Sequence, residues 1–469
     1  ELENTLIVLS GDNGLPFPRC KATLYDTGTK VPLVVHWPGN ISGGRRVTDF
    51  VSLTDLAPTF LEAAGDRIPP QMTGRSLLPI LKSSQSGRVQ NTRNHTLLGM
   101  ERHVYPYPSR ALRNDQFLYI RNYQPRKWPT GEPQGPTPEI DFTDGSWPKF
   151  PGAFSYNIDP SPTKQLLLDQ RDDPQIKPFF ESACGQHPSE ELYDLSLDPG
   201  QLQNVSEDKT YGKQLQILRD QLTSELQASG DHRVQVSTSA ASAQLSRPNI
   251  LFIAMDDLND WIGCMGGHPQ TITPNLDRLA KSSILFTNAH CPAPACNPSR
   301  SAIMTGISPH KSGLYDNGQQ MREVMPDAEL MPKTLTRNGY YSSGSGKLLH
   351  YFIDADSWEE YYPEAKGENP FPRTLYPDQR PLSLPRGGPW QYVETDWGPL
   401  DATDDEFGGD YLVSKWIGEQ LRIERSRPFY LACGIYRPHE PWFVPAKYFE
   451  PFPLESIQLP PGYKSDDLD

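Results

Sequence analysis

Three short apolar runs punctuate the chain, and each ends in a polar cluster. Thr5-Leu6-Ile7-Val8-Leu9-Ser10 leads into Gly11-Asp12-Asn13-Gly14, and Ile250-Leu251-Phe252-Ile253-Ala254 leads into Met255-Asp256-Asp257. The third run, Phe429-Tyr430-Leu431-Ala432-Cys433-Gly434-Ile435, leads into Tyr436-Arg437-Pro438-His439. Continuously apolar strands of this length belong in a sheet covered on both faces. Helical spacing lies between them, as in Pro274-Asn275-Leu276-Asp277-Arg278-Leu279-Ala280. A further helix is predicted over 215–227, where Leu215, Leu218, Leu222 and Leu226 form one stripe. Thr96-Leu97-Leu98-Gly99-Met100 reads as a strand of a separate, antiparallel set. The pattern therefore predicts an α/β large domain with a central, mostly parallel sheet, and a smaller α+β domain with an antiparallel sheet. Open α/β sheets place their sites at the carboxyl ends of the strands, so the polar clusters should converge on one crevice.

The order of the pieces is unusual. Val236-Ser237-Thr238-Ser239-Ala240-Ala241-Ser242-Ala243 is small, polar and of low complexity, so 236–247 reads as a linker or tail. Directly after it, Arg247-Pro248-Asn249 opens a run of the kind that starts an α/β domain. The expected division is one domain from 248–469 plus 1–82, and a smaller one from 83–235. In this reading the order is permuted, with 248–469 preceding 1–235 in the ancestral fold.

Composition narrows the function. A formal net charge of −14 argues against a broad nucleic-acid-binding face, which needs a basic surface. It leaves room for an anionic substrate, because a deep site can be locally positive. No apolar run reaches the roughly 18 residues of a membrane span. Six scattered cysteines, none in a Cys-x-x-Cys pair, rule out a disulfide scaffold and leave room for one or two bridges. Sequons at Asn40, Asn94 and Asn204 say little about compartment.

Asp256, Asp257 and Asp12 would meet at the predicted crevice, and three carboxylates do not sit together unpaired. A hard divalent cation resolves the repulsion, with Asn13 adding a neutral oxygen. Taken singly, Asp-Asp and Asp-Asn are ordinary turn residues. The decisive segment is Cys296-Asn297-Pro298-Ser299-Arg300, followed by Ser301-Ala302-Ile303-Met304-Thr305-Gly306. With Asp-Asp upstream, it resembles the signature of the type I sulfatases, alkaline-phosphatase-like enzymes in which this cysteine is oxidised to formylglycine. Gly346-Lys347-Leu348-Leu349-His350, Pro438-His439-Glu440-Pro441 and Lys21-Ala22-Thr23-Leu24-Tyr25 resemble further elements of that family. Within it, 428–462 is similar to iduronate 2-sulfatases, while 10–30 and the tail from Glu191 to His232 are similar to heparan N-sulfatases.

The resemblance implies the roles. Asp256, Asp257, Asp12, Asn13 and the side chain at 296 would hold calcium, with magnesium the alternative. Formylglycine at 296 would act as a hydrated geminal diol, one hydroxyl attacking sulfur and the other allowing release of sulfate. Arg300 would orient the diol and His350 take its proton. Lys347 and Lys21 would clamp sulfate oxygens, and His439 would assist the leaving group. Glu101, His103 and Arg437 are substrate-binding candidates, and Trp128, Trp147, Trp390 and Trp397 are loop aromatics able to stack on sugars. The implied partners are a sulfated carbohydrate and a formylglycine-generating maturation enzyme, in a secreted, periplasmic or lysosomal setting, and a processed or partial chain is expected. The family runs its cysteine signature first and its Asp-Asn loop last, with a helix between the blocks that is not found here. A circular permutation and two segments joined in swapped order each account for this. A phosphatase or phosphonate hydrolase of the same superfamily is the competing enzyme. A non-catalytic binding module is the reading if Cys296 is never converted.

Overall fold

A computed structural model describes residues 4–103, 106–125, 127–130, 157–159, 161–231, 247–350, 352–363, 370–377 and 397–458. Trp147, Trp390 and the 236–246 part of the expected linker lie outside these residues.

In chain order the strands are β1 (Thr5–Gly11), β2 (Lys30–His36), β3 (Arg45–Val47), β4 (Val51–Ser52), β5 (His95–Arg102), β6 (Pro106–Asn114), β7 (Phe117–Asn122) and β8 (Glu190–Asp194). They continue with β9 (Asn249–Met255), β10 (Ile284–His290), β11 (Tyr341–Gly346), β12 (Glu360–Tyr362), β13 (Trp397–Leu400), β14 (Phe429–Ile435) and β15 (Trp442–Pro445). A nine-stranded sheet runs β12-β11-β14-β9-β1-β2-β10-β3, with β4 also on β10. The apolar runs beginning at Leu6 and Ile250 lie side by side and parallel, Leu6 opposite Ile250 and Ser10 opposite Ala254. β14 pairs parallel on the other side of β9. Only β2 runs against its neighbours β1 and β10. The remaining strands therefore share one direction, and their carboxyl ends share one edge.

The apolar composition of β9, β1 and β14 explains why they form the middle of the sheet. Leu6, Val8, Ile250, Phe252, Tyr430 and Ala432 join one core cluster with Phe60, Leu314 and Leu335. Leu251, Leu431 and Phe429 face the other side, against Val413 and Ile417 of the helix Asp410–Gln420. Each strand is thus apolar on both faces because each face is covered. β11 and β14 close together at their ends only because Gly346 takes φ +74°, where a Cβ would lie 2.0 Å from the Gly434 carbonyl oxygen.

A separate four-stranded antiparallel sheet runs β5-β6-β7-β8. The helix expected over 215–227 spans Gly212–Ser229, with all four stripe leucines buried. They pack on Leu112, Phe117, Tyr119 and Leu192 of that sheet. The helix ends at Gly230 in the left-handed conformation, a C-terminal cap that suits glycine. All six cysteines are free thiols. Among the described residues, no helix is long and apolar enough to cross a membrane.

Candidate active site

Every candidate catalytic and cation-binding residue leaves the same sheet edge or the loop beside it. Asp12 and Asn13 follow β1, Asp256 and Asp257 follow β9, Lys347 follows β11, and His439 comes four residues after the end of β14. Cys296 starts the helix Cys296–Thr305 a short loop beyond β10. Asp257 itself takes φ +55°, a left-handed turn that Asp tolerates better than bulkier residues.

Arg300, one turn into that helix, ties two strand ends together. Its Nε donates to Asp12 Oδ2 at 2.8 Å and its Nη2 to Asp256 Oδ1 at 2.8 Å. Its Nη1 donates to the Lys347 carbonyl oxygen, and the Lys347 ammonium donates to Asp256 Oδ2. Lys21 Nζ lies 3.1 Å from Asp257 Oδ2. The Asp257 backbone N–H donates to Asp12 Oδ1 at 2.9 Å. Cys296 Sγ sits 3.8 Å from Asp257 Oδ1. All of these side chains are buried.

Once Asp159 on Lys21 is counted, four carboxylates (Asp12, Asp256, Asp257 and Asp159) face three cations (Arg300, Lys347 and Lys21). Burial pushes the Asp12 carboxyl up to about 6, against the pull of Arg300. Burial pushes Asp257 up to about 8; Lys21 opposes that rise, and Asp256, Asp12 and Asp159 add to it. Asp256 behaves oppositely: burial raises it, but Lys347 and Arg300 hold it well below the usual range. Burial disfavours the ammonium of Lys21, and Asp159 and Asp257 outweigh that and keep it charged. One carboxylate too many is therefore shared among the cations. Ligand oxygens of Asp12, Asp256 and Asp257 all lie within 4.8 Å of one another. Asn13 spends its Nδ2 protons on Gly14 O at 3.0 Å and Asp257 Oδ1 at 2.5 Å, and its buried Oδ1 has no hydrogen-bond partner. Excess carboxylate and an unpaired amide oxygen are the donor set of a hard, oxygen-seeking divalent cation. The residues fit such an ion.

His439 Nδ1 lies 2.7 Å from the Glu440 carbonyl oxygen, which only accepts, so Nδ1 carries the proton. The lone pair on Nε2 then faces the site, 3.8 Å from Asp257 Oδ2. Burial, with Lys21 and Lys347 nearby, holds His439 well below its ordinary pKa and neutral. His350 is partly buried within the field of Lys347 and Asp256, and it too stays neutral. Burial, reinforced by Asp256, pushes the Cys296 thiol well up, so as an unmodified thiol it is a poor nucleophile.

The three substrate-binding candidates separate. His103 is buried; burial lowers its pKa to about 4, with Asp159, Lys21 and Lys347 in its field, and its Nδ1 has no hydrogen-bond partner. Arg437 stacks over the rings of Tyr436, at 5.1 Å, and Phe407, at 5.4 Å, and its Nε and Nη2 make no hydrogen bond. Glu101 instead accepts from Arg110 Nη2 at 2.8 Å, inside a buried network of the antiparallel sheet. Trp128 packs on Phe180, and Trp397 on Trp442.

Sequence reasoning missed Asp159 and Lys164. Asp159 reaches the site from outside the large sheet and lies 3.0 Å from Lys21 Nζ. Lys164 donates to the Ile158 carbonyl oxygen at 2.8 Å, and burial lowers its pKa to about 8 against the pull of Asp159. Neither stands in a patterned segment, so no local signal could have found them.

Comparison with known proteins follows this geometry. Residues 248–459 match the sulfatase family model, and residues 19–129 match the model of the N-sulphoglucosamine sulphohydrolase C-terminal region. A sulfatase of Formosa agariphila is 42% identical over 232 residues, covering 48% of this chain and 45% of that protein. Human iduronate 2-sulfatase is 30% identical over 242 residues, 49% of this chain and 42% of that protein. Human N-sulphoglucosamine sulphohydrolase is 30% identical over 234 residues, 47% of this chain and 41% of that protein. The chain thus spans less than half the length of each of these curated relatives. Cys296, Arg300, Lys347 and His439 fall inside the region that matches the sulfatase model, and Lys21 inside the region that matches the N-sulphoglucosamine sulphohydrolase C-terminal model.

Proposed function

We propose that this protein hydrolyses a sulfate ester or sulfamate on a glycan, using formylglycine made from Cys296 and a divalent cation, calcium before magnesium. The observation that supports this best is the juxtaposition of a buried, thiol-inert Cys296 with three carboxylates and three cationic side chains at one sheet edge. When present, the cation and the converted side chain at 296 supply charge neutralisation and a hydroxyl nucleophile. Asp12, Asp256, Asp257 and the Asn13 amide oxygen hold the ion. Lys21 and Lys347 present ammonium protons to the non-bridging sulfate oxygens, where charge grows as the ester breaks. Arg300 keeps Asp12 and Asp256 in register. His439 Nε2 and His350 are the neutral bases able to hold a proton beside the reacting hydroxyls. His103 and Arg437, with donors free, recognise the sugar.

In this reading 248–469 plus 1–82 form the catalytic domain, 83–235 the smaller one, and 236–247 the junction. The partners are the sulfated carbohydrate and a maturation enzyme that oxidises Cys296, in a secreted, periplasmic or lysosomal compartment. The relatives named above, an iduronate 2-sulfatase and an N-sulphoglucosamine sulphohydrolase, support a sulfated sugar as substrate class. The test is hydrolysis of an aryl sulfate against an aryl phosphate, by protein co-expressed with and without a formylglycine-generating enzyme. Sulfate release that requires both co-expression and Cys296 is expected. Phosphate release independent of Cys296 would overturn the proposal in favour of a phosphatase.

A further inference from the structure

Lys21 has two carboxylate partners, and only one of them belongs to the cation set. Its Nζ lies 3.1 Å from Asp257 Oδ2 and 3.0 Å from Asp159 Oδ2, with both lysine and Asp257 buried. The Asp159 contact is an ion pair without an aligned hydrogen bond. Asp257 is also held by Asn13 Nδ2 and approached by Cys296 Sγ on its other oxygen. A carboxylate that serves a divalent ion gives up much of its attraction for an ammonium group. Lys21 would then be a buried cation next to another cation, a costly arrangement unless a second anion holds it.

We infer that Asp159 is a positioning residue that keeps Lys21 from competing with the cation for Asp257, an assignment that rests on the cation reading above. Asp159 comes from the segment preceding the helix Pro162–Asp169, far from the sheet edge in sequence. Burial raises its pKa, and Lys21, with His103 and His439 behind it, reverses the shift, so it remains a carboxylate. Lys21 hands over from Asp257 to Asp159 when the ion arrives, and its ammonium stays aimed at the place where sulfate oxygens bind. The neutral imidazoles of His103 and His439 and the ammonium of Lys164 lie in the field of the same carboxylate.

The experiment is calcium titration by calorimetry on the full chain and its variants. Asp159→Asn should raise the calcium Kd by on the order of tenfold, the usual weight of a group that supports a metal ligand from behind. Asp159→Glu should restore most of it. Lys21→Met alone should tighten calcium binding, because Asp257 loses its competitor. In the Lys21→Met background, Asp159→Asn should have little further effect. A plain loss of negative field would instead weaken calcium equally in both backgrounds, and that result overturns the inference. Should Asp159→Asn fail to fold, the Lys21→Met and Lys21→Met/Asp159→Asn pair still decides it: looser calcium binding in the double variant than in Lys21→Met overturns it. Wild-type protein that binds calcium but hydrolyses no sulfate ester breaks the functional proposal and leaves this one standing. Wild-type protein that binds no calcium overturns both.

Discussion

Two buried arginines in this molecule each hold two carboxylates, and their surroundings differ. Arg300 bridges Asp12 and Asp256 at the edge of the parallel sheet. Arg110, in the antiparallel sheet, bridges Asp231 at 2.7 Å and Glu101 at 2.8 Å, and also donates to the carbonyls of Met100 and Ser109. The Tyr315 ring lies over the Arg110 guanidinium at 4.2 Å. In the Arg110 cluster both acids share the one guanidinium, and Asp231 also accepts from the Tyr315 hydroxyl at 3.3 Å. The Arg300 cluster sits beside a third acid, Asp257, whose pKa is pushed up to about 8, and beside an amide oxygen with nothing to accept. The same residue types thus build a strut in one place and a candidate cation site in the other. What separates them is the third acid and the unpaired amide oxygen beside Arg300, not the presence of charge.

Glu191 sharpens the contrast. Its buried carboxylate accepts from Tyr193, Tyr25 and Asn122 at 2.6, 2.8 and 2.7 Å. Burial alone would raise its pKa, but these donors and His187 hold it at about 2. Asp257, equally buried, lacks that set of donors and moves the other way.

The largest expected effect tests the two arginines against each other. Arg110→Met should cost about 3–5 kcal/mol of stability, since it strands buried carboxylates, while kcat/KM of the folded fraction stays at the wild-type value. Arg300→Met should cost similar stability and in addition lower kcat/KM by on the order of 10³-fold. Urea unfolding paired with aryl sulfate kinetics reads both. Equal catalytic losses would break the comparison.

Next comes pH. Glu191 has a depressed folded pKa, so its stabilisation is present above the unfolded value near 4.5 and fades as pH falls toward 2. Glu191→Gln should therefore cost roughly 3 kcal/mol at neutral pH, shrinking as the medium is acidified through that window. Chemical unfolding at pH 7 and pH 3.5 measures the difference. A cost independent of pH would show that packing, not charge, holds this residue.

The smallest effect concerns His103, the member of the antiparallel region with a free nitrogen near the site. His103→Ala should raise KM for a sulfated oligosaccharide roughly tenfold, the weight of one hydrogen bond, and leave KM for a small aryl sulfate unchanged. Equal changes for both substrates would place His103 among supporting groups only.

Much of this was written along the chain. Apolar runs at Leu6, Ile250 and Phe429 declare buried parallel strands, because only a sheet covered on both faces makes every position apolar. The stripe Leu215, Leu218, Leu222 and Leu226 declares its helix for the same reason at another period. Polar residues directly after those strands had to share an edge once the strands shared a direction. Local pattern could not say that Glu101 would turn to Arg110, since that depends on a guanidinium arriving from the neighbouring strand β6. Nor could it place Asp159 against Lys21 across 138 positions of chain, because a single carboxylate in an unpatterned segment carries no period to read. By itself the sequence determined the strands, their face chemistry and the residues at their ends, all set by short-range periodicity. Which acids are neutralised and which are left in excess was decided only by tertiary structure, because charge balance depends on distance and burial, and neither is a property of position along the chain.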